Sequence, residues 1–533
     1  MGYSKGQVLR LSDEVILIFL IFGIFLRFYG FWNSSLWADE ILYLEIEKFD
    51  FQFLQKITIW FVKMILQNFP SLDLEFMIRL PYVIISSLSL VVLAKIAKLF
   101  GRDEELVSFI LFCSSFFISI IGQEATAWSM AWFFYLLSCL EFVKILQDEN
   151  RGLYLFFIYS LACVFSKEIT ALWITPFLFS LYLRHKIDLK YILLFILTIL
   201  IFAGIMALVF FDKLEISKSV LTLVRETFKT NILSFRIYLD TFTVFSGSWW
   251  QIISYLFLIL SAIGFFSVKD RREILYLFIL PSVSVFLLTY ILFDFFSSKY
   301  ILPLFLVYII TISKGIIYVA SFVSKKLKVC GNLTVLFLTS IFIFSNLRTF
   351  YEYWRLKMSF FLPLDVSGIS SDICMAKSQE GEEILVRFVS PVKLIKIPVS
   401  LGLAFYLKRC GMNLSVFEED ELVGSIIRSS GDLEVIGRYM ENEKKKNYLV
   451  FLIPPNTDSS GILRWWVRKD PMADRLEIFI RRILKEENVR LNNLYVKFGI
   501  IMSEVLDLSE QKIQMVDLRF KRFFYEFLLP RIR

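Results

Sequence analysis

Residues 13–40 read DEVILIFLIFGIFLRFYGFWNSSLWADE. From about residue 14 to 32 the stretch is almost wholly apolar and close to the roughly 20 residues that a membrane-spanning helix needs. It carries Arg27 in its last third, then polar Asn33, Ser34 and Ser35, and then two adjacent acids, Asp39 and Glu40. The segment is too long and too weakly charged at its start for a signal peptide and lacks a small-residue cleavage site, so it reads as a retained span.

The pattern repeats. The chain has 533 residues, 57% of them hydrophobic, with 58 phenylalanines, and a mean hydropathy of +0.64. Soluble domains run at roughly 45–50% apolar. Charged residues still make up 20% of the chain, so apolar and charged residues must be segregated along it. A purely soluble protein, a disordered chain and a disulfide scaffold are excluded. The net charge of +8, spread along the chain, gives no argument for nucleic acid. One histidine and six cysteines argue against a His-rich or Cys-rich metal site.

Eleven spans are expected, near 14–32, 81–99, 105–122, 127–146, 152–166, 169–184, 190–211, 250–267, 274–293, 301–320 and 332–349. The short fifth and sixth are tilted or partly re-entrant candidates. Lysines and arginines cluster in alternate short loops: Lys5/Arg10, Lys95/Lys98/Arg102, Lys144/Arg151, Arg184/Lys186/Lys190, Lys269/Arg271/Arg272 and Lys325/Lys326/Lys328. With eleven spans these all fall on one side, which the positive-inside rule makes cytoplasmic. Residues 1–350 then form a transmembrane domain with the N-terminus inside, and 351–533 form an extracytoplasmic soluble domain of a multi-pass cell-membrane protein. The last 183 residues hold 28 Lys+Arg and 25 Asp+Glu, a soluble domain's density. Strand-like runs at 383–389, 414–417 and 448–453, with a helix-like run from Ser400 to Arg409, make that domain α/β. Between spans, Leu54, Ile57, Phe61, Met64 and Ile65, and again Val220, Leu223, Val224 and Phe228, recur at helical spacing and read as amphipathic helices in the outer interface.

Ionisable groups at membrane level are costly and usually functional. Several gather at the outer ends of the expected spans: Arg27, Asp39, Glu40, Arg79, Gln123 with Glu124, Lys167 with Glu168, and Lys299 with Tyr300. A carboxylate there can accept a proton from a hydroxyl, and lysine or arginine can hold a phosphate and stabilise its charge. Each residue also has a structural alternative. Arg27 can snorkel to the headgroups, Asp39 or Glu40 can cap a helix, Glu124 can pair with Lys167, and Lys299 can anchor at the interface.

Six short elements then resemble, in order, the polyprenyl-phosphate-sugar glycosyltransferases of the GT-C fold, which include the dolichyl-phosphate-mannose protein mannosyltransferases and the lipid A aminoarabinose transferases. They are Arg27-Phe28-Tyr29-Gly30 through Ser35-Leu36-Trp37-Ala38-Asp39-Glu40, Arg79-Leu80-Pro81, Leu99-Phe100-Gly101-Arg102, Gly122-Gln123-Glu124-Ala125, Phe165-Ser166-Lys167-Glu168 and Lys299-Tyr300-Ile301-Leu302-Pro303. The resemblance covers about residues 25–305. It departs from the family pattern at Thr126, where arginine is usual, at Glu168, where an aromatic is usual, and at Lys299, a point charge in place of an arginine fork.

The resemblance implies transfer of a sugar from a polyprenyl-phosphate donor to an extracytoplasmic protein, lipid or glycan acceptor, with inversion. Asp39 would be the general base, with Glu40 and Glu124 orienting acceptor and sugar. Lys167, Lys299, Arg79 and Arg27 would hold the phosphate, with Gln123 and Tyr300 completing the donor site. No cofactor is required; a divalent metal at Asp39 and Glu124 is compatible with the residues. The alternatives are a transporter or flippase of an anionic or lipid-linked substrate and a non-catalytic subunit of the same fold. Cys374 and Cys410 share the outer domain, where a disulfide is permitted.

Overall fold

A computed structural model describes residues 13–31, 36, 40, 53–100, 102–147, 152–209, 235–247, 251–268, 278–285, 298–327, 331–355, 374, 384–389, 405–407, 409, 414–415, 446–452, 491–497, 500–507 and 512–515. By internal contacts the chain divides into two units, Met1–Trp32 with Leu42–Glu352, and Asn33–Ile41 with Tyr353–Arg533.

The first unit is helical. Its helices are α1 (Asp13–Phe28), α2 (Phe53–Asn68), α3 (Leu74–Lys98), α4 (Arg102–Ser114), α5 (Phe116–Gln123), α6 (Ala127–Leu146), α7 (Gly152–Ser166), α8 (Ala171–Leu183), α9 (Leu189–Val209), α10 (Phe235–Ser246), α11 (Gln251–Ser267), α12 (Leu302–Leu327) and α13 (Gly331–Arg355). A further helical stretch covers 278–285. Among the described residues four helices are long and apolar enough to cross a membrane, or five if the bent pair α4–α5 is one span. The chain is therefore a helical membrane protein. Shorter apolar helices stand at Gly152–Ser166, Glu168–Leu183, Leu189–Ile201 and Ile252–Ser267.

The unit is built inside out relative to a soluble bundle. The α4–α5–α6 run is buried along most of its length, with Leu111, Phe112, Phe117, Trp132 and Tyr135 inaccessible. Large apolar side chains lie exposed on the outer helices, among them Leu17, Ile18 and Ile21 on α1 and Leu193, Leu194, Leu197 and Leu200 on α9. Lipid takes such a surface without the cost that water would impose.

Two expected spans differ in detail. The second helix begins at Leu74 rather than near Pro81, because Asp73 caps it by accepting from the Phe76 N–H at 2.7 Å. The helix runs through Pro81, so Arg79 lies inside it and not in a preceding loop. The third expected span is broken at Ser115, where α4 and α5 meet at 52°. The hydroxyls of Ser114 and Ser119 donate to the Ile110 and Ser115 carbonyls around the break. Back-bonding of this kind bends helices. The Phe116 N–H goes instead to the Asn346 side-chain oxygen of α13, 2.8 Å away.

The amphipathic helix expected in the first outer loop is α2. Gln55, Ile59 and Val62 face the bundle, while Phe53, Ile57, Trp60, Phe61 and Met64 are exposed. The second expected amphipathic segment, with Val220, Leu223, Val224 and Phe228, lies outside the described residues.

In the second unit, the strands are β1 (Ile384–Val389), β2 (Leu414–Ser415), β3 (Lys446–Leu452), β4 (Leu491–Lys497), β5 (Ile500–Asp507) and β6 (Lys512–Met515). They form one mixed sheet in the order β2-β1-β3-β5-β4-β6. β1 runs parallel to β2 and β3, and β3 runs antiparallel to β5. The first three strands lie at the three strand-like runs of the sequence. Within this unit the Leu36 N–H donates to the Tyr406 hydroxyl at 2.8 Å, and Glu40 is buried. Cys374 is disulfide-bonded; Cys410 lies outside the described residues.

α11 crosses α12 closely. A Cβ on Gly264 would collide with the Thr311 carbonyl, and one on Gly315 with the Leu260 carbonyl. Small residues let membrane helices approach this closely, and Ser261 and Thr311 share a hydrogen bond of 2.7 Å beside the crossing. Gly204 on α9 meets nothing within 4 Å. Gly315→Ala is expected to destabilise the protein by about 1–3 kcal/mol through overpacking, and Gly204→Ala to leave it unchanged or slightly stabilised, as thermal unfolding in detergent would read.

Candidate functional site

Helix direction brings the end of α1, the beginning of α3, the end of α5, the beginning of α6, the α7–α8 turn and the beginning of α12 to one end of the bundle. Each is a place where a helix stops or starts, so each exposes backbone groups that need partners in an apolar setting. Most of the residues singled out in the sequence lie here, and they divide into two groups by what their side chains hold.

The first group holds backbone. α1 ends at Gly30, whose φ of 71° suits glycine. Gln123 closes that end: its Nε2 donates to the carbonyls of Leu26, Arg27 and Tyr29 at 3.0–3.2 Å. Arg79 reaches the next turn, its Nη1 donating to the Phe31 carbonyl at 2.8 Å. Arg27 does not snorkel to the headgroups. It is fully buried, with Nε on the Ser86 hydroxyl at 3.1 Å and Nη1 on the Gly23 carbonyl at 2.9 Å. The physical reason is its neighbours: Gly122 packs directly on Ser86, and Gly23 on Leu90 and Cys113, so the side chain is enclosed by α3, α4 and α5.

The second group meets side chain to side chain. Lys299, on the 3-10 turn Ser298–Ile301 that leads into α12, pairs with Glu124 at 2.6 Å. Both are buried, 3% and 5% exposed at the side chain. Glu124 does not pair with Lys167. Lys167 lies in the α7–α8 turn, 3.5 Å from Glu168 and 5.7 Å from the centre of the Trp128 ring. The Trp128 face attracts the ammonium. Tyr300 meets the same tryptophan, its ring tilted at 41° with centres 5.4 Å apart, and its carbonyl accepts from Trp173 Nε1 at 2.8 Å. The order along the wall is Lys167, Trp128, Tyr300, then Lys299 with Glu124.

Glu124 sits in the short non-helical segment between α5 and α6, where the Thr126 N–H donates to the Glu124 carbonyl at 2.8 Å. Three residues outside the family-like elements hold α5 and this segment. Asn346 fixes the beginning of α5, Ser129 donates to the Ile121 carbonyl at 2.8 Å, and Gln55 of α2 donates to the Ala125 carbonyl at 2.9 Å. Gln55 is a single polar residue alongside Ile59 and Val62 on the inward face of α2, a signal visible in the sequence. Trp128 carries no such signal among 11 tryptophans.

Asp39 lies outside the described residues, and Glu40 belongs to the second unit. Among the described residues no group of three His, Cys, Asp or Glu is arranged to hold a metal ion. What the described cluster offers is a buried acid–base pair, a second lysine held against tryptophan, and an aromatic wall. Lysines of this kind can hold an anion, and the aromatics can flank a ring.

No protein-family model matches the chain, and no curated protein shows significant similarity to it.

Breaking a buried ion pair from one side is expected to cost far more than removing it whole. Lys299→Met alone should destabilise the protein by about 3–5 kcal/mol, and Lys299→Met combined with Glu124→Gln should recover most of that loss in thermal unfolding. Equal losses in the single and double variants would mean that the pair is not coupled.

Proposed function

We propose that the chain is a multi-pass membrane glycosyltransferase that moves a sugar from a polyprenyl-phosphate donor to an acceptor hydroxyl on the extracytoplasmic side. The observation that carries this reading is the meeting of Glu124, Lys299, Tyr300 and Lys167 along one tryptophan wall at one end of the bundle. These residues belong to three of the six elements that resemble the GT-C enzymes, and they are far apart in sequence.

The chemistry follows from residue types. Lys299 and Lys167 compensate the phosphate, which leaves as the dianion when the bond to the anomeric carbon breaks. Trp128 and Tyr300 flank the sugar or the first isoprene unit. Asp39 takes the proton of the acceptor hydroxyl as that oxygen attacks from the face opposite the phosphate, which inverts the anomeric centre. Gln123, Arg79 and Arg27 support the site from behind, since their described contacts are to protein backbone and to Ser86. Lysine in place of arginine gives a charge without a fixed fork, which suits a diester that must let go as it becomes a monoester.

Eleven spans, the inside N-terminus and the extracytoplasmic α/β domain form the topology of this reading. The disulfide at Cys374 supports that side, because disulfides persist in oxidising compartments. A second reading, transport of an anionic lipid, draws on the break at Ser115 and the fully buried Arg27, since broken helices and internal charges mark transporters.

Two measurements test the proposal. Asp39→Asn is expected to lower transfer from polyprenyl-phosphate sugars by at least about 100-fold, the usual share of a general base, with donor binding retained; undiminished transfer would remove Asp39 from its role. In intact cells a membrane-impermeant maleimide is expected to label Cys374 only after a membrane-impermeant reductant is applied from outside. Labelling without reduction, or only after the cells are opened, would overturn the assigned topology.

A further inference from the structure

We propose that Gln55 is a positioning residue for Glu124, tying the amphipathic helix α2 to the turn that carries the carboxylate; the inference rests on the functional reading above.

Gln55 is fully buried on the inward face of α2, in register with Ile59 and Val62. A buried amide costs about 1–3 kcal/mol unless it is hydrogen-bonded, so its presence on that face needs an explanation. Its Nε2 donates to the Ala125 carbonyl at 2.9 Å, while its Oε1 is buried with no hydrogen-bond partner among the described residues. Methionine would fill the same space without leaving a buried acceptor. What glutamine adds is the donated bond.

The acceptor matters because of its place. Ala125 is the middle residue of the non-helical segment between α5 and α6, one peptide from Glu124. Non-helical backbone in an apolar bundle needs partners from elsewhere in the protein, and one for the Ala125 carbonyl comes from an element 70 residues away. Ser129 braces the end of α5 through the Ile121 carbonyl, and Gln123 ties that end to α1. Gln55 braces the segment from α2, whose opposite face exposes Phe53, Ile57, Trp60, Phe61 and Met64. The position of Glu124 against Lys299 thus depends on a helix whose outer face is made for lipid. Misplacing a reacting group by about 1 Å costs on the order of 100-fold in rate, so a single such bond is enough to matter.

The test uses the full chain in lipid nanodiscs. Gln55→Met keeps the volume and removes the bond; Gln55→Ser, too short to reach Ala125, serves if the first variant does not fold. Hydrogen exchange without substrate is expected to accelerate about tenfold at the amides of residues 124–127 and to stay unchanged in α3 and α12. In transfer assays kcat is expected to fall about tenfold with the donor KM unchanged, whereas a merely structural loss would lower the yield of folded protein and leave its kcat intact. Unchanged exchange at 124–127 overturns the proposal, as does unchanged kcat in an active enzyme. Accelerated exchange in a chain whose wild type transfers nothing keeps the tether and removes only the transferase reading.

Discussion

In an apolar bundle every backbone N–H and C=O must find a partner inside the protein, because lipid supplies none. Helices meet this demand along their length and fail it at their ends and breaks. Here the failures are repaired by side chains from distant elements. Asn346 takes the Phe116 N–H at the break and gives its own N–H groups to Ser246 and Phe342. Gln123 serves three carbonyls at the end of α1, Arg79 serves Phe31, Gln55 serves Ala125, and Trp173 serves Tyr300. Thr349 serves Gly247, which holds a φ of 60°. These bonds tie helices that are far apart in sequence, and they determine where each irregular turn can sit.

The candidate site is a product of that repair. Irregular backbone is where side chains can be aimed away from a helix axis, and bracing the turns makes their aim reproducible. Glu124 leaves α5 on a turn that Gln55 holds at Ala125 and Ser129 holds at Ile121, and Lys299 approaches from a 3-10 turn whose Tyr300 carbonyl is bound by Trp173. The buried pair that results has a close contact and little solvent. Its energy is a balance between desolvation and attraction, which makes it a poor device for stability. At the opposite end, Glu104 of α4 pairs with Lys314 of α12 and Glu141 with Lys144 on α6 at 2.7 Å, so the charges inside the bundle are also partnered there.

Much of the architecture was legible from composition and pattern. Helices occupy all the stretches read as spans, within the described residues, and the apolar stripe of Ile57, Phe61 and Met64 announced α2. The limits had local causes. Asp73 started α3 two turns before Pro81, so the proline lies inside the helix, where its missing N–H costs one bond of the ladder. The run Cys113-Ser114-Ser115 looked continuous because hydropathy averages over a break, and the break is stabilised by Asn346, 230 residues away. Of the proposed site, the residue types and their common end of the bundle were readable. Their contacts were not: Arg27, Arg79 and Gln123 donate to backbone carbonyls and to Ser86.

What the sequence determined by itself is what depends on neighbours along the chain: where helices form, which stretches suit lipid, and which polar residues stand out in apolar surroundings. Those follow from periodicity, length and capping, all short-range properties. Only the tertiary structure decided that Glu124 meets Lys299 rather than Lys167, that Gln55 reaches Ala125, and that Trp128 stands between Lys167 and Tyr300. Each of these depends on the order and rotation of helices around the bundle, which no spacing in the chain encodes, because a partner 70 or 175 residues away is chosen by packing and by the need of buried polar groups for each other.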